Sequence, residues 1–366
     1  MTERNSAHTT IVKPGQPLSL EKVAEMVGGQ LLNAEDSNDA LCEGVDGPAG
    51  ADETCVTMAA DEETLRGVQV GSVLAVFLDK PHACDHVQII VDDVHSAMAT
   101  LAEYFRPEVQ FDHHVGIHPS AVIAEDAKIH PNAIVGPGTI IGSKTRIDAG
   151  VVVGAYCRIG SRCVINPGVT IYAHCIIKDD VRISAASTIG AEGFGYRFVD
   201  GQHMPAAQFG YVVLEEKVDL GAGVTVDRGA YGSTRIGCGT KIDNQVMVAH
   251  NCQIGRHNLI CSQVGIAGSC VTGDHVILAG QVGLKDHITL GDRTVVGAQA
   301  GVMDNLEGNN VYLGSPATTQ RDQMQIMAVE RRLPQMRKDL KQMSSRITEV
   351  ETRLNASEDA SAKKAA

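Results

Sequence analysis

From Ile117 an aliphatic residue returns at every sixth position, through Ile123, Ile129 and Val135 to Ile183 and Ile189, without a miss. A period of six fits neither the 3.6 of a helix face nor the 2.0 of an alternating strand. Gly often follows the aliphatic residue (Gly136, Gly142, Gly154, Gly160), and a small or β-branched residue sits four places after it (Ala121, Ala127, Thr139, Cys157, Cys163). The register returns at Leu214, Leu220 and Val226, slips across "DRGAYGSTR", and runs from Ile236 to Val302, with Thr272 alone departing from aliphatic. Such a hexapeptide repeat predicts a mainly β protein, a parallel β-helix whose aliphatics stack inward in ladders. Gly, Asn or Asp is expected at its tight corners.

The pattern changes on either side. Residues 1–15 read as disordered, and 16–106 as a small α/β domain. In that domain "PLSLEKVAEMVGG" and "VHSAMATLAEYF" suggest helices, and "SVLAVFL" and "VQIIV" buried strands. The β-helix is assigned to 107–317, broken by a loop at 190–213 of the kind that carries function. From Ile326 to Leu354 apolar residues alternate three- and four-residue steps, so 318–355 reads as a coiled-coil-like helical segment that implies self-association. Pro334 is expected to start or kink a helix there. The remainder, 356–366, reads as a disordered tail.

A formal charge of −13 argues against a nucleic-acid binder. No run of 18 apolar residues offers a membrane span, and the polar start lacks a signal-peptide core. Ten cysteines without a CxxC pair read as small buried residues in a reducing, cytoplasmic setting.

His250, in "VMVAHNCQIG", is out of place in an aliphatic ribbon. With three hexads to a triangular coil, as in the proteins this repeat resembles, adding 18 residues reaches Gly268. Adding 37 reaches His287, two coils up and one residue along; Asp243 falls near the preceding corner. The column suits a general base beside a backbone N–H that meets an oxyanion, with an acid orienting the imidazole. Against it stands the plain reading of a surface histidine. A zinc site would draw on His250, His257, His275 and His287, but their spacing matches no familiar ligand set, so no metal is expected. No GxSxG or Cys–His signature suggests a covalent intermediate.

"IGAEGFGY", "VTVDRGAYGSTRIGCGTKIDNQVMVAHNCQIG", "AGSC" and "YLGSPA" followed by "RRLP" resemble the UDP-3-O-(3-hydroxyacyl)glucosamine N-acyltransferases of lipid A biosynthesis. The resemblance covers roughly 17–355. It implies a homotrimer of left-handed β-helices that moves a 3-hydroxyacyl chain from acyl carrier protein to the 2-amine of a UDP-sugar. It needs no cofactor of its own, because 4′-phosphopantetheine arrives on the carrier. The resemblance makes His250 the base, Gly268 the oxyanion donor, Asp243 the acidic partner and His287 a substrate-positioning residue. Asn251, Phe194 and Tyr196 join the substrate-binding set, and the N-terminal module binds uridine. One stretch departs from the family: "CVTMAADEETL" (55–65) lacks the aromatic and Asn that hold the base. Two alternatives stay open: a hexapeptide acyl- or acetyltransferase for another nucleotide amino sugar, and a non-catalytic trimeric scaffold.

Overall fold

The computed structural model describes residues 16–34, 40–48, 51–68, 72–105, 115–199, 201–206, 208–314 and 320–365. The disorder expected for 1–15 and the domain junction at 106/107 lie outside them. The chain divides into two compact units, Met1–Gly314 and Ser315–Ala366.

Most of the first unit is a three-sided parallel β-helix built from two sheets of nine strands and one of ten. Most strands are only two residues long, and each pairs with the strand 18 residues later, as Ile141 does with Ile159. The hexad aliphatics form one continuous core, with Ile165, Ile171 and Ile183 entirely buried. The small position has a second task. Thr139 and Thr145 hydroxyls, and Cys157, Cys163, Cys252 and Cys270 thiols, each donate to a carbonyl 15 residues on. Cysteine therefore substitutes for threonine in the corner ladder, and all ten thiols are free.

The corners differ from the expectation. Glycine, Asn and Asp do not dominate them: Lys144, Arg162, His174, Gln263 and His275 all adopt φ near +60°. A Cβ in that region costs about 1–2 kcal/mol. The stack overdetermines the turn, because the corner N–H groups donate one coil below, mostly to carbonyls, as Arg162 does to Ser143 and Gln263 to Asn244, and at Lys144 to the Asp126 carboxylate. The glycine after the aliphatic serves close stacking instead: a methyl on Gly142 would lie 2.7 Å from the Gly160 carbonyl carbon.

Two insertions break the register. Ile177 pairs with Leu214, 37 residues on, because 192–210 leaves the helix as a loop carrying the hairpin Tyr196–Val199/Gln202–Pro205. Val226 pairs with Val248, 22 residues on, because "DRGAYG" bulges outward. That bulge attaches the N-terminal domain: Tyr231 is buried among Leu18, Val94 and Met98, and its hydroxyl donates to the His95 carbonyl at 3.4 Å.

The N-terminal domain packs α1 (Leu20–Val27) and α3 (Val94–Phe105) on a five-stranded sheet. The short α2 (Glu62–Gly67) follows strand Cys55–Met58; the sequence pattern signalled neither element. Ser19 caps α1 by accepting from the Lys22 N–H, and Gly28 ends it at φ 66°.

The second unit holds α4 (Gln320–Glu330) and α5 (Leu333–Ala365). Pro334 sits in the first turn of α5, where its missing N–H costs no bond. Disorder was expected for 356–366, yet α5 continues to Ala365. That stretch holds five Ala and two Lys, both good helix formers. No helix among the described residues is long and apolar enough to cross a membrane.

Candidate active site

Strand Met247–Val248 belongs to the same sheet as Gly265–Ile266 and Gly283–Leu284, in register. The turn residues after them therefore stack, and His250, Gly268 and Asp286 share one column. Beside it Asn251, Ser269 and His287 share the left-handed corner, with φ of 61°, 60° and 58°. Ser269 N–H donates to the His250 carbonyl at 2.9 Å, and His287 N–H to the Gly268 carbonyl at 3.0 Å.

The imidazole is half-buried and seated between two glycines. A methyl on Gly268 would lie 2.6 Å from His250 Cε1 and 2.8 Å from Nε2; one on Gly193 would lie 2.6 Å from its Cβ and 2.9 Å from Cδ2. Neither position tolerates a larger residue without moving the ring. Gly193 belongs to the inserted loop, so the loop forms one wall of the site.

Asn251 sets the tautomer. Its Oδ1 accepts from the Ala230 N–H at 3.1 Å, which identifies that atom as the oxygen. The same oxygen lies 3.0 Å from His250 Nδ1, so in the neutral ring Nδ1 carries the proton and Nε2 keeps its lone pair. Asn251 is held in turn by its N–H donating to Thr234 Oγ1 at 2.8 Å.

Asp243 does not orient the imidazole within the protomer. It follows strand Lys241–Ile242 on a different sheet, is exposed, and accepts from the Asn244 N–H at 2.7 Å. Seven residues is one hexad plus one, so the chain has turned a corner between Asp243 and His250. His287 is exposed two coils up, its Nδ1 3.0 Å from Asp286 Oδ2; that hydrogen bond holds the Asp286 carboxyl below the usual range. Phe194 and Tyr196 meet edge-to-face at 5.0 Å on the exposed loop next to Gly193. His257 and His275 stack on each other at another corner, and among the described residues no group of three or more His, Cys, Asp or Glu is placed to hold a metal ion.

The sequence pattern did not mark Gly193 and Gln208 as neighbours of His250. The "GFG" spacing hinted at the first; nothing periodic pointed to the second.

Comparison with known proteins places this geometry. The family described as bacterial transferase hexapeptide (six repeats) matches residues 120–155, 138–173, 156–191 and 233–268. The UDP-3-O-acylglucosamine N-acyltransferase of Rhodopirellula baltica is 56% identical over 354 residues, 90% of this chain and 93% of that protein. The enzyme of the same name from Pseudomonas syringae pv. syringae is 42% identical over 175 residues, 46% of this chain and 49% of that one. Among solved structures, the UDP-N-acetylglucosamine O-acyltransferase of Moraxella catarrhalis is 27% identical over 55% of this chain and 72% of that one, with a TM-score of 0.36. The identity that spans nearly the whole chain, on a parallel β-helix of hexapeptide repeats, makes this protein an acyltransferase that belongs to the UDP-3-O-acylglucosamine N-acyltransferase family.

Proposed function

We propose that the protein moves a 3-hydroxyacyl chain from the phosphopantetheine thioester of acyl carrier protein to the 2-amine of UDP-3-O-acylglucosamine. It does so as a cytoplasmic homotrimer, in lipid A biosynthesis. The observation that carries the chemistry is the seat of His250: Nδ1 is held by Asn251, Nε2 is left as acceptor, and Gly268 lies against it.

As the amine attacks the thioester carbon, His250 Nε2 takes one of its protons. The carbonyl oxygen gains charge beside Gly268, whose N–H has no acceptor among the described residues and is free to meet it. Collapse breaks the C–S bond, and the imidazolium returns its proton to the leaving sulfur. Phe194 and Tyr196 contribute apolar rim surface, His287 positions the substrate from two coils up, and the N-terminal domain receives the uridine.

His250→Ala should lower kcat by about 10²–10⁴-fold without unfolding the chain, because loss of a general base costs that much. The assay compares acyl carrier and coenzyme A thioesters against several UDP-amino sugars. Activity within a few-fold of wild type removes His250 as base. Turnover with coenzyme A alone favours the acetyltransferase reading.

A further inference from the structure

Gln208 lies where the inserted loop rejoins the β-helix. The two residues after it are pinned to the bulge below the site: Phe209 N–H donates to the Ala230 carbonyl at 2.7 Å and Gly210 N–H to that of Gly229 at 3.0 Å. Ala230 N–H donates to Asn251 Oδ1, the atom that holds His250, so Gln208 is registered to the imidazole through a short chain of bonds.

Its side chain turns in under the two loop glycines. A methyl on Gly193 would lie 2.8 Å from Gln208 Oε1 and 2.9 Å from His250 Cδ2; one on Gly195 would lie 2.8 Å from Gln208 Nε2. The amide fills the space that the missing Cβ atoms leave. Yet Oε1 is buried and, among the described residues, accepts no hydrogen bond. A buried amide oxygen without a donor is destabilising, and such an atom in a native site calls for a donor that the chain itself does not supply.

The chemistry of that donor follows from its neighbour. His250 offers Nε2 as an acceptor, and Gln208 offers a second acceptor on the Gly193 side of the ring, where one Cβ position lies 2.8 Å from Oε1 and 2.9 Å from His250 Cδ2. Two acceptors suit a group with two hydrogens and a lone pair. A neutral primary amine has both hydrogens; a hydroxyl has one. Resting on the acyl-transfer reading above, we propose that Gln208 selects an amine over a hydroxyl as acyl acceptor by accepting the N–H that is not transferred. The nitrogen lone pair forms the C–N bond and the C–S pair leaves with sulfur. One proton passes through His250 to that sulfur, and the other stays on nitrogen as the amide N–H, bonded to Oε1. A hydroxyl that gives its only hydrogen to His250 leaves Oε1 unpaired, and sites built this way discriminate strongly.

The test uses the full-length protein with acyl carrier thioester and two UDP-sugar acceptors that differ only in amine against hydroxyl at the reacting carbon. Gln208→Leu and Gln208→Met should lower the amine-to-hydroxyl ratio of kcat/KM by about tenfold or more, with KM for the thioester unchanged. Gln208→Glu, which keeps an acceptor, should retain the preference. An unchanged ratio in the folded apolar variants, or an equal loss on both acceptors, overturns the proposal. So does a wild type that acylates the hydroxyl as fast as the amine, whatever the variants do. A wild type that acylates neither acceptor defeats the acyl-transfer reading itself, a different outcome from an active enzyme indifferent to residue 208.

Discussion

Asp227 sits at the base of the outward bulge, 6% exposed, with burial pushing its carboxyl up to about 6. An unfolded Asp titrates near ~3.9. Between those values the folded chain holds a proton that the unfolded chain has lost, so this group's contribution weakens as pH rises from about 4 to 6. Above that window it opposes folding by about 1–3 kcal/mol, since a tenfold change in proton affinity on folding is worth ~1.4 kcal/mol. Asp227→Asn should therefore raise Tm relative to wild type at pH 7.5 and lose most of that advantage at pH 4.5. A constant difference across that range would show that the carboxyl does not titrate as its burial dictates. Residue pairs one coil apart were legible from the sequence, because +18 is a fixed translation; His250 over Gly268 followed from it. Lateral neighbours were not. Asn251 adjoins His250 because a left-handed corner swings its amide back onto the ring, and no spacing rule records which way a corner side chain turns.

At the scale of elements, the one polar hexad residue explains itself by its partners. Thr272 is 4% exposed, and its Oγ1 accepts from Asn258 Nδ2 at 2.7 Å and from the Gly255 N–H at 3.0 Å. Asn258 is wholly buried, and its oxygen accepts from the Val276 N–H. Thr272→Val completes the aliphatic ladder yet should destabilise by about 1–3 kcal/mol, because it strands the buried Asn258 amide and the half-buried Gly255 N–H. Thermal melts of the two proteins read this directly, and a Tm equal to or above wild type would make the network dispensable. The repeat announced the β-helix, since stacking translates one hexad into the next. The slip at "DRGAYGSTR" was visible but not its purpose, because docking of Tyr231 depends on a partner domain far away in sequence. The strand Cys55–Met58 went unseen for a different reason: Val56 is its one β-branched aliphatic, whereas Ala75–Leu78 and Gln88–Ile90 lie within longer aliphatic runs.

For the whole molecule, α5 presents Leu333, Met336, Leu340, Met343, Ile347 and Val350, each at least 45% exposed. That spacing is a coiled-coil seam, and its residues are exposed. We expect the seam to be closed by other copies, so deletion of 318–366 should shift the assembly towards smaller species in equilibrium sedimentation; unchanged association would assign trimer formation to other surfaces. The self-association reading came directly from the heptad spacing, whereas the helical tail did not, because low hydrophobicity and good helix propensity point in opposite directions there.

The regular stack also acts as a graduated scale. Each coil advances the chain by ~4.8 Å, and no contact in the ladder permits half a step. Distances between groups along one face are thus drawn from a discrete set. Two side chains on one face can therefore change their spacing only by whole rungs, when a residue moves from one coil to another or an 18-residue coil is gained or lost, but never by sliding.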